Sequence, residues 1–153
     1  DKNNFYLKYL NKNSEQADYK KKDIATFDYK KKIFKFNNKE GSLVNVVYDP
    51  LSVIHFLRNQ NLNIDKSFPF DIYSNGKIKK IIMNVIGEET IKIANKQYDC
   101  FILAPNTLDK TAALKNRGEL KIWISKDIQR IPVIIEQKAK YGTILLKLKK
   151  YEQ

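Results

Sequence analysis

The alternation of hydrophobic and polar residues predicts a chain built mostly of β-strands. From Phe68 onward, short runs rich in Val, Ile, Tyr and Phe are separated by turn residues at regular intervals. Strands at this spacing are typical of an antiparallel meander. The strands predicted in this part span residues 68–73, 77–86, 90–93, 98–103, 119–125, 131–138 and 143–151.

Three of the turns predicted in this C-terminal part of the chain bear directly on its topology, and a further one is predicted at residues 94–97. Asn75-Gly76 is a strong hairpin signal, because both residues accept the positive φ angles of a type I′ turn. Gly87-Glu88-Glu89 predicts a second turn, and residues 125–130 predict a third, before Pro132.

The first 45 residues give a weaker pattern. Residues 5–10, 18–28 and 31–36 are strand candidates, whereas 11–16 read as a polar link and 37–42 as a loop. Lysine-rich strands of this kind suit the edge of a sheet, where charge discourages pairing with another chain.

Residues 49–59 form the one predicted helix. Asp49 can cap its first turn, and Pro50 fits the first helical position, where a missing N–H costs nothing. Apolar residues cover a wide face of this helix, so it is expected to pack against the sheet. These residues are Leu51, Val53, Ile54, Phe56 and Leu57.

Several predicted strands carry apolar residues on both faces, as in residues 81–83 and 133–135. A sheet with one buried face would alternate cleanly. The predicted fold class is therefore all-β with one short helix: a curved antiparallel meander, half-barrel or open barrel, with the helix packed on or into it. We predict a single domain over 1–153, in which 1–45 are the less certain strands and 46–151 the core.

The net charge of +12 has two explanations. One is an anionic partner. The other is a Lys-, Asn- and Ile-rich composition without functional meaning, which the scarcity of Arg favours, since proteins that grip phosphate prefer its bidentate fork. Arginine occurs only at positions 58, 117 and 130. No apolar run approaches the roughly 20 residues of a transmembrane helix, so no transmembrane segment is predicted.

No catalytic, metal-binding or cofactor motif is recognisable, so the sequence predicts neither an enzyme nor a metal or cofactor site. His55 is the only histidine and has no partner at metal-ligand spacing. Cys100, the only cysteine, lies in an apolar run and is expected to be a small buried residue rather than a reactive thiol.

Several separate motifs, taken together and in order, resemble an exported bacterial envelope family, the domain of unknown function DUF3108. The resemblance covers residues 48–151, and the first 45 residues match loosely. The residues that carry it are Tyr48 to Ser52, Phe56 to Arg58, Phe70 to Tyr73, Asn75 to Lys77, Tyr98 to Cys100, Gly118, Leu120, Ile122 to Ser125, Asp127, Arg130 to Val133, Gly142 and Leu146.

The family's members are longer at the N-terminus and carry a signal peptide. This chain begins in a polar segment without one, so we expect either a trimmed form or a shortened relative. The closing strands are also similar to those of Lol-type lipoprotein carriers, whose half-barrels enclose a hydrophobic cavity. The resemblance implies a periplasmic or outer-membrane-associated protein.

The leading functional hypothesis is a non-enzymatic envelope protein that binds an apolar or amphipathic ligand, such as a lipid acyl chain, in the curl of the sheet. The alternative is a structural or interaction protein whose lysine-rich surface docks on anionic envelope components or an acidic partner. Nucleic-acid binding is the weakest hypothesis. The residues predicted to line the ligand site are Phe56, Leu57, Phe70, Ile122 and Trp123.

Overall fold

The computed structural model describes residues 5–16, 19–74, 76–106, 120–139 and 142–151. These residues form two open β-sheets and one short helix, which confirms the all-β prediction. The elements are β1 (Tyr9–Gln16), β2 (Tyr19–Asp28), β3 (Ile33–Phe36), β4 (Lys39–Ser42), β5 (Val47–Tyr48), α1 (Pro50–Arg58), β6 (Ser67–Ser74), β7 (Lys77–Ile93), β8 (Lys96–Asn106), β9 (Leu120–Ser125), β10 (Pro132–Ala139) and β11 (Gly142–Lys147).

The chain divides into two compact units. The N-terminal unit comprises Asp1–Val53 and Asp71–Lys79, and the C-terminal unit comprises Ile54–Phe70 and Lys80–Gln153. This division does not test the prediction of a single domain.

In the N-terminal unit, β1 to β4 form an antiparallel meander in sequence order. Strand β2 alternates: Ala25 and Phe27 are buried, whereas Thr26 between them is exposed. The sheet therefore buries one face, as a period of two requires. An aromatic-rich core cluster covers that face; its buried members are Leu7, Ala25, Phe27, Leu43, Val47 and Tyr73.

Two predictions in this unit were wrong. The polar link at 11–16 is part of β1, and the loop at 37–42 contains β4. Both are edge strands of the four-stranded sheet. An edge strand is held by its backbone hydrogen bonds and tolerates polar side chains on both faces, so the hydrophobic pattern does not reveal it.

The second sheet has seven strands in the order β11-β10-β9-β8-β7-β6-β5. The pairs from β7 to β11 are antiparallel, whereas β5 runs parallel to β6. A parallel pair needs a crossover connection, and α1 lies in that connection.

The predicted turn at Gly87-Glu88-Glu89 was wrong, because β7 continues through it for 17 residues. The pairing with β8 shifts register between Val85 and Gly87, which marks a β-bulge. A bulge takes up one extra residue without ending the strand, and glycine inside a strand is one of its usual signals.

The other two turns have side-chain or backbone support. Gly76 has a φ angle of 77°, as the predicted hairpin requires, whereas its partner Asn75 lies outside the described residues. After β9, Asp127 accepts hydrogen bonds from the Ser125 hydroxyl and from the Gln129 backbone N–H. These contacts confirm the predicted turn before Pro132.

Strand β9 is buried on both faces, since Ile122, Trp123, Ile124 and Ser125 are all buried. Successive residues of a strand point to opposite faces, so both faces of the sheet are covered here. Of the residues for which two apolar faces were predicted, Met83 and Val133 are buried, and the other residues of 81–83 and 133–135 are half-buried.

The helix begins as predicted. The Asp49 carboxylate accepts hydrogen bonds from the backbone N–H groups of Leu51 and Ser52, at 2.9 and 3.2 Å. This is an N-cap, which satisfies amides that a helix leaves without partners.

Candidate functional site

The five residues predicted to line a ligand site all belong to the C-terminal unit. Phe56 on α1 and Phe70 on β6 contact each other edge to face, with ring centroids 5.5 Å apart. Leu57 and Ile122 are almost fully buried, at 0% and 2% exposure, and Trp123 is buried at 9%.

The structure brings some of these residues together and separates others. Ile122 pairs across the sheet with Leu103, whereas Trp123 pairs with Ile102. Since neighbours on a strand alternate, Ile122 and Trp123 lie on opposite faces and do not line one common space. The role of these five residues in binding a ligand stays a prediction.

Trp123 has a partner that the sequence pattern did not suggest. Its indole Nε1–H donates a hydrogen bond to the Glu89 carboxylate at 2.7 Å. Glu89 lies on β7, in the segment that the sequence predicted to be a turn. The signal that could have found it is general: a buried indole N–H needs an acceptor, and a carboxylate is a strong one.

Cys100 is fully buried, as predicted, and its thiol donates to the Tyr98 carbonyl oxygen at 3.3 Å. Burial raises the pKa of this thiol from 9.0 to about 11, and the nearby Asp99 charge adds to the shift. The thiolate is therefore scarce at neutral pH, which argues against a nucleophilic role.

A cavity of about 150 Å³ lies in the N-terminal unit and is open to solvent on one side. Strands β1, β2, β3 and β6 and the start of α1 contribute its walls. The wall is mostly apolar but includes two carboxylates, one ammonium group and two hydroxyls. The lining residues are Leu10, Lys12, Asp23, Phe36, Asp49, Pro50, Tyr73 and Ser74.

Asp23 is the unusual member of this wall, because it is only 5% exposed. One of its contacts is a long hydrogen bond of 3.4 Å from the side-chain amide of Asn37. The other end of that amide accepts from the Ile24 backbone N–H, which fixes its orientation. Charged side chains are seldom buried this deeply, so Asp23 is the residue that sets this wall apart.

Tyr73 occupies the wall next to the aromatic cluster. Its ring contacts those of Phe27 and Phe36, with centroids 5.1 and 6.1 Å away. Among the described residues, its buried hydroxyl has no hydrogen-bond partner. Burial raises the pKa of Tyr73, the backbone of Gly76 opposes this rise, and the Asp23 charge adds to it. The hydroxyl is therefore neutral and able to donate at physiological pH.

The remaining charged groups lie at different depths. Asp49 is half-buried and already caps α1 with one of its oxygens, whereas Lys12 is exposed. Lys12 stands directly opposite Asp23 in the register of β1 and β2. Two carboxylates against one ammonium give the cavity a net negative wall in a chain of net charge +12.

Sequence reasoning missed this site, although one signal was present. Asp23, Ala25 and Phe27 share one face of β2 by their spacing. A carboxylate in line with two core residues predicts a buried polar position, and a buried polar group is more informative than an exposed apolar one.

Neither a cluster of metal-ligand side chains nor a membrane-spanning helix is found in the described part of the chain. It contains no group of three His, Cys, Asp or Glu side chains placed to hold a metal ion. Its one helix is too short to cross a bilayer.

Comparison with known proteins identifies a family for the chain. A family model described as "Protein of unknown function (DUF3108)" matches residues 1–149, so the match also includes the first 45 residues, where the resemblance was loose. No curated protein matches the chain. No solved structure matches it either, so the similarity to Lol-type carriers has no structural support.

Proposed function

The chain belongs to the DUF3108 family, and we propose that it is a non-enzymatic binding protein that holds a small amphipathic ligand in the cavity of its N-terminal unit. The observation that carries the proposal is the carboxylate of Asp23, buried in a largely apolar wall. Binding sites are commonly apolar clefts with a few polar groups that orient the ligand.

The size of the cavity limits the ligand. An engineered cavity of about 150 Å³ holds benzene, and drug-sized ligands need roughly 300 Å³ or more. At about 150 Å³, this cavity accepts a body of about six non-hydrogen atoms. A full acyl chain would leave most of its length outside.

The charged residues of the cavity wall determine which charged group of a ligand is favoured there. A fatty-acid carboxylate would meet Asp23 and Asp49, and like charges at short range disfavour each other. A primary ammonium would instead pair with Asp23 and lie against the rings of Phe36 and Tyr73, which attract cations. The ligand class that fits is therefore a short alkylammonium ion.

The acyl-chain site predicted at Phe56, Leu57, Phe70, Ile122 and Trp123 has less support. Leu57, Phe70 and Ile122 are at most 5% exposed, so a ligand there would have to displace core side chains. Their burial favours a packing role, and the support for an amphipathic ligand comes from the N-terminal cavity instead.

We also propose that the protein is exported to the periplasm or the outer-membrane face. The support is the resemblance of its motifs to exported envelope proteins. Fractionation of the source cells, with the protein detected by antibody, tests the location. Recovery with cytosolic markers alone would contradict it.

Titration of the ¹⁵N-labelled protein with n-butylammonium chloride, followed by NMR, tests the binding proposal. Shifts centred on the amides of Asp23, Phe36 and Tyr73 are expected. Neutral n-butanol has the same butyl chain, and anionic butyrate has the same number of carbon atoms. Both are expected to bind at least roughly tenfold more weakly, because a hydrogen bond to a charged group contributes about 1.5–3 kcal/mol.

Asp23→Asn keeps the shape of the side chain and removes its charge, so it should weaken butylammonium binding roughly 10- to 100-fold. Glu15→Gln is the matched control, because Glu15 is an exposed carboxylate of the same unit outside the cavity wall. The proposal would be contradicted if Asp23→Asn and Glu15→Gln bound butylammonium equally well. It would also be contradicted if the unchanged chain bound butyrate as tightly as butylammonium.

A further inference from the structure

Strand β11 differs from the central strands of its sheet, because all six of its residues are exposed. It is an edge strand, paired with β10 on one side only. Three of its residues are large and apolar in succession: Ile144 is 59% exposed, Leu145 45% and Leu146 59%.

These three side chains lie on both faces of the strand. Ile144 and Leu146 share one face, and Leu145 lies on the other, because side chains alternate along a strand. Single exposed apolar residues are normal on a protein surface, but a contiguous group rimmed by polar residues marks a binding surface.

The apolar group continues directly into a basic segment. Lys147 and Lys149 are exposed, and neither has a carboxylate partner among the residues that the structure describes. The acidic residue in the sequence of β10 and β11, Glu136, pairs with Lys138 at 3.7 Å. We call Ile144, Leu145, Leu146, Lys147 and Lys149 the β11 patch.

We propose that the β11 patch docks the protein on the surface of an anionic lipid bilayer. Its apolar side chains would enter the boundary between headgroups and acyl chains, while its lysines pair with lipid phosphates. Tyr151, which is 41% exposed just beyond the patch, is a residue type that favours this boundary. The inference goes beyond the proposed ligand cavity, because it uses other residues of the other unit.

A bilayer fits the patch better than a partner strand does. Lysines at the edge of a sheet oppose the addition of another strand, because they would be carried into the new interface. The same lysines attract an anionic surface, and apolar side chains on both faces of one strand suit insertion rather than a flat pairing.

Co-sedimentation of the full chain with vesicles tests the proposal. Vesicles of phosphatidylcholine and phosphatidylglycerol in equal parts are compared with vesicles of phosphatidylcholine alone, at low and high salt. Strong binding to the anionic vesicles is expected, with a large loss at high salt, because screening weakens the lysine contribution. Equal binding to both vesicle types would overturn the proposal.

Two double variants separate the patch from the general charge of the chain. Ile144→Ser with Leu146→Ser should abolish most of the binding, and Lys147→Gln with Lys149→Gln should weaken it roughly fivefold for each lysine removed. The matched control is Ile128→Ser with Lys92→Gln, since Ile128 is 98% exposed and Lys92 is exposed outside the patch. All substituted side chains are exposed, so melting temperatures should stay near that of the unchanged chain.

An equal loss of binding in the control would overturn the assignment to β11, as would unchanged binding in both patch variants. Size-exclusion chromatography over a range of concentrations adds a further readout. A dimer that dissociates in the Ile144→Ser, Leu146→Ser variant would show that the patch binds a second copy of the chain, and this too would overturn the lipid assignment.

Discussion

Strands β2 and β9 are both buried, but in different ways. In β2, of the N-terminal unit, Ala25 and Phe27 are buried while Thr26 between them is exposed. In β9, of the C-terminal unit, neighbouring residues such as Ile122 and Trp123 are buried alike. The first strand has one covered face, and the second has two.

This difference indicates where each unit can carry function. The four-stranded sheet of the N-terminal unit buries one face, against a core cluster rich in aromatic side chains. Tyr73 belongs to this cluster and, together with Asp23, also lines the cavity. At β9 both faces of the sheet are covered and filled with buried side chains, whereas the apolar side chains of the edge strand β11 are exposed. The candidate ligand site therefore lies in the unit whose sheet buries one face, and the candidate docking surface lies on the exposed edge strand of the other sheet.

The largest expected effects concern buried side chains, first those on the two faces of β9. Ile122→Ala and Trp123→Ala should each lower the free energy of unfolding by about 2–5 kcal/mol, because each leaves a cavity in a buried face. Denaturant unfolding followed by far-UV circular dichroism measures the loss without relying on Trp123, the only tryptophan. A cost below about 1 kcal/mol at either position would show that its face is not covered.

In β2 the same test should give an asymmetric result. Phe27→Ala should cost about 3–5 kcal/mol, because the Phe27 ring packs against Phe34 and Tyr73. Thr26→Ala should cost less than about 1 kcal/mol, since its side chain faces solvent. The unfolding experiment used for β9 applies here, and similar costs at the two positions would remove the contrast between the strands.

The same contrast explains how much of the fold could be predicted from sequence. Apolar runs in the sequence predict strands such as β9 and β10, and the cap at Asp49 predicts α1. Residues 11–16 of β1 could not be found in this way, since their place depends on backbone pairing with β2 rather than on side-chain pattern. Strand β7 was divided at Gly87, because glycine marks a bulge as well as a turn.

The candidate sites were less predictable than the fold. The cavity combines residues from four strands and the start of α1, and no local pattern specifies which of them meet. Asp23 could have been singled out by its place on the buried face of β2, but its long contact with Asn37 depends on the turn after β3. Leu146 could be read as a strand residue, whereas its exposure depends on β11 lying at the edge of the sheet.

The burial of β8 beside β9 also predicts a dependence of stability on pH. The pKa of Cys100 rises from 9.0 to about 11, chiefly through burial, so the folded chain holds this proton more tightly than the unfolded chain does. The resulting stabilisation is complete below pH 9 and is lost as the pH rises toward 11, by roughly 2 kcal/mol.

Urea unfolding of the chain and of Cys100→Ala, at about pH 8 and about pH 10.5, checks this dependence. The tyrosines and lysines titrate in both proteins. The difference between the two proteins in how far the free energy of unfolding falls from about pH 8 to about pH 10.5 therefore reports on the Cys100 thiol alone. A variant whose stability falls as steeply as that of the unchanged chain would show that Cys100 does not contribute.

The smallest expected effect compares a glycine from each unit. A Cβ atom added at Gly41 would lie 2.5 Å from the ring of Phe34, whereas at Gly87 the nearest atom, on Ile102, is 4.0 Å away. Gly41→Ala should therefore cost about 1–2 kcal/mol, toward the low end for overpacking, because the half-buried Phe34 ring can shift. Gly87→Ala should change the free energy of unfolding by less than about 0.5 kcal/mol. Thermal or urea unfolding of both variants measures these costs. An equal loss of stability at the two positions would mean that side chains pack no more closely around Gly41 than around Gly87 in the bulge of β7.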